Sequence, residues 1–545
     1  MSRTTTTPAH LLALAICATA AACGGGGSDP APPADPGSGA SWTAGQFLPE
    51  ESFAARCAVP RTDTDPVTGQ PLFDDIPGST LEENNWLRSW TNELYLWYDE
   101  VPDQDPAAFD DPLEYFATLR TSATTPSGNP KDRFHFARNS AQWQAESQSG
   151  VSAGYGMQIA VIEPLPPREI VVAYTHPGSP AALAGVARGD RILEVDGEDA
   201  VNGNTQAIVD VLNTGLFPAA AGERHEFVMT AAGSVGLAQT RTLDSEEIVT
   251  VPVQNVGTVT SPQGAVVGYM HFLDHIAPAE AGLRDAVAFL DTQDIEDLVI
   301  DLRYNGGGFL ALASQLAYMV AGPVPTVGRT FEAVEFNDQH PTTNPVTGTP
   351  IQPLPFLDIT IGLGNAPPNQ ALPSLDLNRV FVITGPGTCS ASESVINSLR
   401  GVGIEVIQIG GRTCGKPYGF YPEDNCGTTY FSIQFRGIND AGFGDFADGF
   451  APAGSGAITD ADLPGCAVAD DFDHALGDIA EARLAAALQY RDTSTCPLVA
   501  ATLTAVQSSV RSQTESTDEG PALAIAPGPP ARTNKFLSPG FRPSP

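Results

Sequence analysis

Basic residues are scarce in this chain. Of its 545 residues, 27 are Lys or Arg against 64 Asp or Glu, a formal net charge of −37. So acidic a surface repels phosphate backbones and anionic headgroups, which sets nucleic acid aside as a partner. Long apolar runs are also lacking. Past the first 22 residues no stretch is long and apolar enough to span a bilayer as a helix. No Cys-x-x-Cys and no histidine cluster occurs among the 8 His, so no metal site is expected, nor any other cofactor. No internal repeat is evident. What remains is a chain with 42% hydrophobic residues, enough for real cores and too long for one ordinary domain.

Residues 1–22 read as an export signal. Arg3 is its short basic start, and His10 to Ala22 is an apolar segment too short to cross a membrane. Ala20-Ala21-Ala22-Cys23 resembles a bacterial lipoprotein processing site, with Ala20 where Leu is usual; ordinary signal cleavage is the alternative. Lipid on Cys23 would be the sole membrane attachment. Residues 23–41, with Gly24 to Gly27 and a Pro-rich run to Pro36, read as a flexible tether. The expected location is exported, as a bacterial outer-membrane or periplasmic lipoprotein. Apart from Cys17 and Cys23, six cysteines remain: Cys57, Cys389, Cys414, Cys426, Cys466 and Cys496. An even number in an exported chain points to disulfides. Cys414–Cys426 and Cys466–Cys496 are the local pairings, and the sequence does not choose among the alternatives.

The chain is expected to be a multidomain α/β protein. Residues 42–148 form a helical region, with Trp86, Trp90, Leu94 and Trp97 at helical spacing over Leu81 to Tyr98 and a second helix over Pro106 to Thr121. This aromatic stripe reads as core. Residues 254–495 alternate strands (Val266–Phe272, Asp297–Leu302, Val380–Thr384) with helices (Ala279–Leu290, Phe309–Val320), as a sheet covered by helices does. Pro323 to Leu377 reads as a surface insertion and Ala469 to Arg491 as a closing helix. Residues 496–545 turn to Ser, Thr, Pro and Gly and read as a disordered tail.

Residues 149–253 resemble a PDZ domain. Gly154-Tyr155-Gly156-Met157 matches the loop whose backbone N–H groups hold a peptide's terminal carboxylate. Ile159 to Ile162 would be the strand that pairs with that peptide, and Gly185 to Gly197 matches the PDZ turn and strand. The alternative is a module that packs on or gates the domain after it without holding a peptide tail.

Three further blocks carry chemistry: Asp301-Leu302-Arg303-Tyr304-Asn305-Gly306-Gly307-Gly308, Gly387-Thr388-Cys389-Ser390-Ala391-Ser392-Glu393, and Gly411-Arg412-Thr413-Cys414-Gly415-Lys416. In this order and behind a PDZ-like segment they resemble the C-terminal processing peptidases, or tail-specific proteases. The resemblance implies a ClpP/crotonase-like α/β catalytic domain and a serine endopeptidase without cofactor. Ser390 would be the nucleophile and Lys416 the base. Gly307 or Gly308, with the N–H near Ser390, would form the oxyanion hole. A serine is a weak nucleophile until a base takes its proton. Lysine, with an unperturbed pKa of about 10.4, serves only where burial keeps it neutral, and Tyr418, Phe420 and Tyr421 supply apolar neighbours. Ser390-x-x-Glu393 is also the spacing of a helix capping box, so the hydroxyl has two claimants. Lys416 has its own bland alternative, a surface lysine in a Gly-Lys turn. Asp301 and Arg303 read as braces.

Two departures stand out. Many family members carry Gln four residues after the lysine, where this chain has Phe420. Cys389 directly precedes the nucleophile and reads as an oxidised, structural residue. In the similar tricorn core proteases a histidine from the N-terminal region is the base, which makes His135, in Asp132-Arg133-Phe134-His135-Phe136, a second candidate. Expected partners are unfolded or exported polypeptides, engaged through their C-termini. The rival readings are a catalytically altered peptide-binding scaffold and a sensor or adaptor built on the PDZ-like module.

Overall fold

A computed structural model describes residues 42–233, 237–453 and 460–497, together with the backbone of 535 and 536. The export signal, Cys23, the tether and most of the tail lie outside the described residues.

Helix α1, Thr80–Leu94, starts where the Ser79 hydroxyl accepts the Glu82 N–H. The Trp86 and Trp90 rings stack at 5.2 Å on its buried face and pack against α2, Pro112–Thr118, which Asp111 caps. The expected helix to Tyr98 stops at Leu94. Tyr95 is extended there, and its hydroxyl donates to Asp132 at 2.7 Å. The expected second helix is shorter as well, since only a 3₁₀ turn, Pro106–Ala108, precedes α2. Phe136–Asn139 then pairs with Thr428–Phe431, which fastens the helical region to the C-terminal part of the chain.

The next layer is a small antiparallel domain. Strands β1 (Val151–Gly154), β2 (Met157–Glu163) and β3 (Glu169–Thr175) are followed by α3 (Pro180–Leu183), β4 (Arg191–Val195) and α4 (Gln206–Leu216). Strands β5 (Arg224–Thr230), β6 (Ala238–Asp244) and β7 (Glu246–Val249) complete it. The main sheet runs β6-β5-β4-β3-β2, and β1 pairs with β7. Strand β2 is thus an open edge with Gly154–Met157 at its entrance.

The third layer is a six-stranded sheet of β8 (Val253–Thr260), β9 (Val266–Phe272), β10 (Asp297–Asp301), β12 (Arg379–Thr384), β13 (Glu405–Gly410) and β14 (Gly465–Ala467), in that order; β11 is Gly308–Phe309. Strands β8 and β9 are antiparallel and the other pairs parallel. Alternation sends Leu298, Ile300, Val380 and Val382 to one face, under α5 (Ala279–Asp291), α6 (Leu310–Ala321) and α7 (Ala391–Gly401). Val299, Phe381, Ile383, Ile407 and Ile409 face α8, Ala482–Thr493. A sheet covered on both faces explains why every residue of β10 is buried.

Three expectations need correction. Pro323 to Leu377 is not a surface insertion. Thr330–Glu335 pairs with Phe435–Ile438, and Phe331, Phe356 and Leu372 are buried in the main core. Irregularly spaced anchors among prolines carry no period to read. The closing helix begins only at Ala482, because Asp470 and Glu481 are drawn onto Arg303 instead. Cys414 does not pair with Cys426. The disulfides are Cys57–Cys426, Cys389–Cys414 and Cys466–Cys496, and only the last matches a local pairing. Cys57 lies 369 residues from its partner, a contact made by the fold alone. Among the described residues no helix is long and apolar enough to cross a membrane.

Candidate active site

Strand β12 delivers the chain into a turn that the glycine block holds from below. The Thr388 hydroxyl donates to the Leu302 carbonyl at 2.7 Å, and the Cys389 N–H to the Asn305 carbonyl at 3.1 Å. Ser390 follows at φ 63°, ψ −115°, a conformation that L-residues avoid and that costs on the order of 1–3 kcal/mol. The Glu393 carboxylate, accepting the Ser390 N–H at 2.9 Å, holds it there. Ser390 and Glu393 have the spacing of a capping box. Even so, the Ser390 Oγ is buried and has no hydrogen-bond partner, while the Ser392 hydroxyl donates to the Asn305 carbonyl at 3.0 Å. The cap therefore does not consume the Ser390 hydroxyl, which sits at the N-terminus of α7, where developing negative charge is favoured.

The loop that carries Lys416, residues 411–417, has no regular secondary structure. Its place is set by the same carboxylate. Glu393 accepts from the N–H groups of Gly415 and Lys416, each at 2.8 Å, and from the Thr413 hydroxyl at 2.5 Å. Glu393 Oε2 thus receives both the Ser390 and the Lys416 N–H, and the two backbones meet across one atom. Burial pushes the Glu393 carboxyl above its usual range, and these donors offset only part of that. The sharp loop needs Gly415 at φ +84°, where an added Cβ would lie 2.3 Å from the Ala447 carbonyl oxygen. Lys416 is fully buried. Its Nζ lies 4.3 Å from the centre of the Phe420 ring and 4.9 Å from that of Phe134. Phe134 comes from the helical region, as does Arg133, which donates to the Cys414 carbonyl. Neither contact was legible in the sequence, although both residues sit in the block that carries His135.

The two glycine candidates differ. The Gly307 N–H already donates to Asn305 Oδ1 at 2.9 Å. Gly308, at φ +136°, lies beside His275 in a parallel bridge whose hydrogen bonds flank it, from His275 N–H to the Gly307 carbonyl and from Phe309 N–H to the His275 carbonyl. In extended backbone, neighbouring residues point their polar groups to opposite sides. Gly308 therefore directs its own N–H and C=O away from His275. On that side Lys535–Phe536 pairs in parallel with Gly308–Phe309.

His135 faces elsewhere. Its Nε2 is 2.8 Å from the Phe116 carbonyl oxygen, its ring stacks on Phe116 at 3.8 Å, and burial pushes its pKa down. Asp301 and Arg303 lie in a buried ionic cluster with Glu481 and Asp470. Gly154, Tyr155, Gly156 and Met157 line a cleft of about 770 Å³ that runs past Tyr174 and Leu273 to Gly306. The Tyr155 hydroxyl donates to the Gly215 carbonyl at 2.9 Å, which braces the loop against the end of α4. Among the described residues, Cys389, Glu393 and Cys414 have the spacing of metal ligands, but their two sulfurs are bonded to each other.

Against known families, residues 266–419 match Peptidase family S41, residues 82–136 the Peptidase S41 N-terminal domain, and residues 171–215 the PDZ domain. The C-terminal processing peptidase of Tetradesmus obliquus is 31% identical over 28% of this chain and 34% of its own length. The carboxyl-terminal-processing protease of a Picosynechococcus strain is 30% identical over 31% of this chain and 39% of its own. The chain thus spans about a third of the length of the curated relatives it matches. Among solved structures, an S41 protease of Bacteroides fragilis superposes with a TM-score of 0.56 at 22% identity, covering 75% of this chain and 97% of that one. That likeness concerns the fold.

Proposed function

Starting from a chain that belongs to peptidase family S41 and carries a PDZ domain, we propose a serine endopeptidase with a Ser390–Lys416 mechanism. The observation that carries this reading is the pair of buried groups around one carboxylate. An unpartnered Ser390 hydroxyl sits on a strained turn, and the base loop hangs from the same Glu393.

In the proposed reaction the neutral Lys416 amine accepts the Ser390 proton as Oγ adds to the scissile carbonyl. The oxyanion is met by the Gly308 N–H and by the Ala391 N–H, which as the first helical residue has no intrahelical acceptor. Lys416 returns the proton to the leaving amine, and water releases the acyl group by the reverse route. The base needs a neutral amine, and removal from water is the physical means of disfavouring the ammonium. The cleft from Gly154–Met157 to Gly306 gives a polypeptide tail docked on β2 a path to the glycine strand. The substrates proposed are unfolded or exported polypeptides, and the chain acts in the cell envelope, anchored through lipid on Cys23.

The test is hydrolysis of an unfolded protein by the chain from Gly24 onward, beside Ser390→Ala, Lys416→Ala and His135→Ala. Loss in the first two variants with folding intact, and retention in the third, supports the dyad. Loss in Ser390→Ala and His135→Ala but not Lys416→Ala moves the base to His135. No cleavage by the parent chain across substrates and pH leaves a peptide-binding scaffold.

A further inference from the structure

The Cys389–Cys414 disulfide joins the residue before Ser390 to the residue two before Lys416, with a Cα–Cα distance of 5.1 Å. It runs parallel to a second tie, since the Cys414 N–H donates to the Thr388 carbonyl at 3.0 Å. On one side stands the turn that holds Ser390 at positive φ, and on the other a loop with no ladder of its own. The position four residues after Lys416 holds Phe420. Its ring packs against the lysine, 4.3 Å from Nζ. The remaining disulfides serve other places: Cys57–Cys426 fastens the helical region, and Cys466–Cys496 joins β14 to the segment after α8.

Resting on the Ser390–Lys416 reading, we propose that Cys389 and Cys414 are positioning residues of the peptidase. Their disulfide sets the register of base against nucleophile, so a dithiol reductant turns the enzyme off reversibly without unfolding it. In the reduction the S–S bond opens and the dithiol becomes a cyclic disulfide. Its two electrons and two protons yield the Cys389 and Cys414 thiols. Opening the bond does more than loosen a tie. Cys414 Sγ lies 3.4 Å from Glu393 Oε2, the oxygen that receives the Ser390 and Lys416 N–H groups. A free thiol there is a new donor competing for that acceptor. Cys414 is partly exposed and Cys389 fully buried, which gives a reductant one sulfur to reach.

The experiment measures kcat and KM of the oxidised chain, of the chain held in a dithiol reductant, and of Cys389→Ala/Cys414→Ala. Near-ultraviolet circular dichroism reports folding, and differential alkylation with mass mapping reports which bridges are open. The proposal expects kcat to fall at least tenfold, with KM little changed, both on reduction and in the double variant. Reoxidation should restore the parent, and the double variant should be indifferent to reductant. A bland structural bridge would lower the melting temperature and leave kcat alone; that result, or a double variant still inhibited by reductant, overturns the proposal. If the double variant does not fold, the chain with Cys57, Cys426, Cys466 and Cys496 all changed to Ser carries only this bridge, and its kcat must follow the redox titration. A parent chain that cleaves nothing overturns the peptidase reading and this one together. A parent that cleaves while kcat ignores the bridge overturns this one alone.

Discussion

Two buried polar hubs stand on either side of the glycine turn, and they are built on opposite principles. The rear hub is Arg303, whose guanidinium meets Asp301, Asp470 and Glu481 at 2.6–2.8 Å, with Arg188 and Arg483 also on Asp470. Its charges nearly compensate. Burial pushes Asp301 and Asp470 up, but the neighbouring cations more than reverse that, and both sit below the usual carboxylate range. The front hub is Glu393, a carboxylate surrounded by neutral donors, on which burial wins and the pKa rises. A balanced hub fixes geometry over a wide pH range. A carboxylate held by N–H and O–H groups is cheaper to disturb, and this one lies between the proposed nucleophile and base.

The largest expected effect breaks the rear hub. Arg303→Met leaves Asp301 and Glu481, both fully buried, without their cation, at a cost of about 3–5 kcal/mol. Chemical denaturation should show it, and kcat of the folded remainder should change less than in any Glu393 variant. Breaking the front hub should do the reverse. Glu393→Gln turns an amide NH₂ toward N–H donors, costing on the order of 2 kcal/mol, and a misplaced dyad should lower kcat about a hundredfold. Equal kcat losses in the two variants would erase the distinction.

Titration sharpens it further. A raised Glu393 holds its proton more tightly folded than unfolded, so its contribution to stability declines as pH rises from the ordinary carboxylate range through the raised value. Activity should move the other way, lost on acidification as the carboxylate gives up an acceptor, and this limb should vanish from the residual activity of Glu393→Gln. The lowered Asp301 and Asp470 contribute stability above the ordinary range and lose it only at more acid pH. The smallest effect lies outside both hubs. Burial raises Glu423 to about 7, so Glu423→Gln should stabilise the chain above that pH by on the order of 2 kcal/mol. Thermal melts at pH 5 and 8 check the sign, as the gain should be much smaller at pH 5.

Much of the site was legible because its parts are local. The strand ending at Asp301, the glycines after it, and the Ser390 turn opening a helix all lie within short windows where hydrophobic period and turn residues speak. The Ser390-x-x-Glu393 spacing was legible too, but only as a cap. Nothing local says that the Glu393 carboxylate also gathers Thr413, Gly415 and Lys416. Phe134 was passed over for the same reason, since its ring meets the lysine across 282 residues of sequence difference that no window spans, as the numbering itself shows.

The sequence by itself determined the order of the layers, the residue types of the proposed dyad, the edge strand with its glycine entrance, and the oxidised state expected of six cysteines. Each follows from periodicity, backbone preference or side-chain chemistry, properties a segment carries alone. Tertiary structure decided which cysteines pair, which glycine turns its N–H away from His275, that His135 faces Phe116, and that Phe420 and Phe134 close over Lys416. Those outcomes depend on which distant segments the core brings together, and burial, hydrogen-bond partners and pKa exist only once it has.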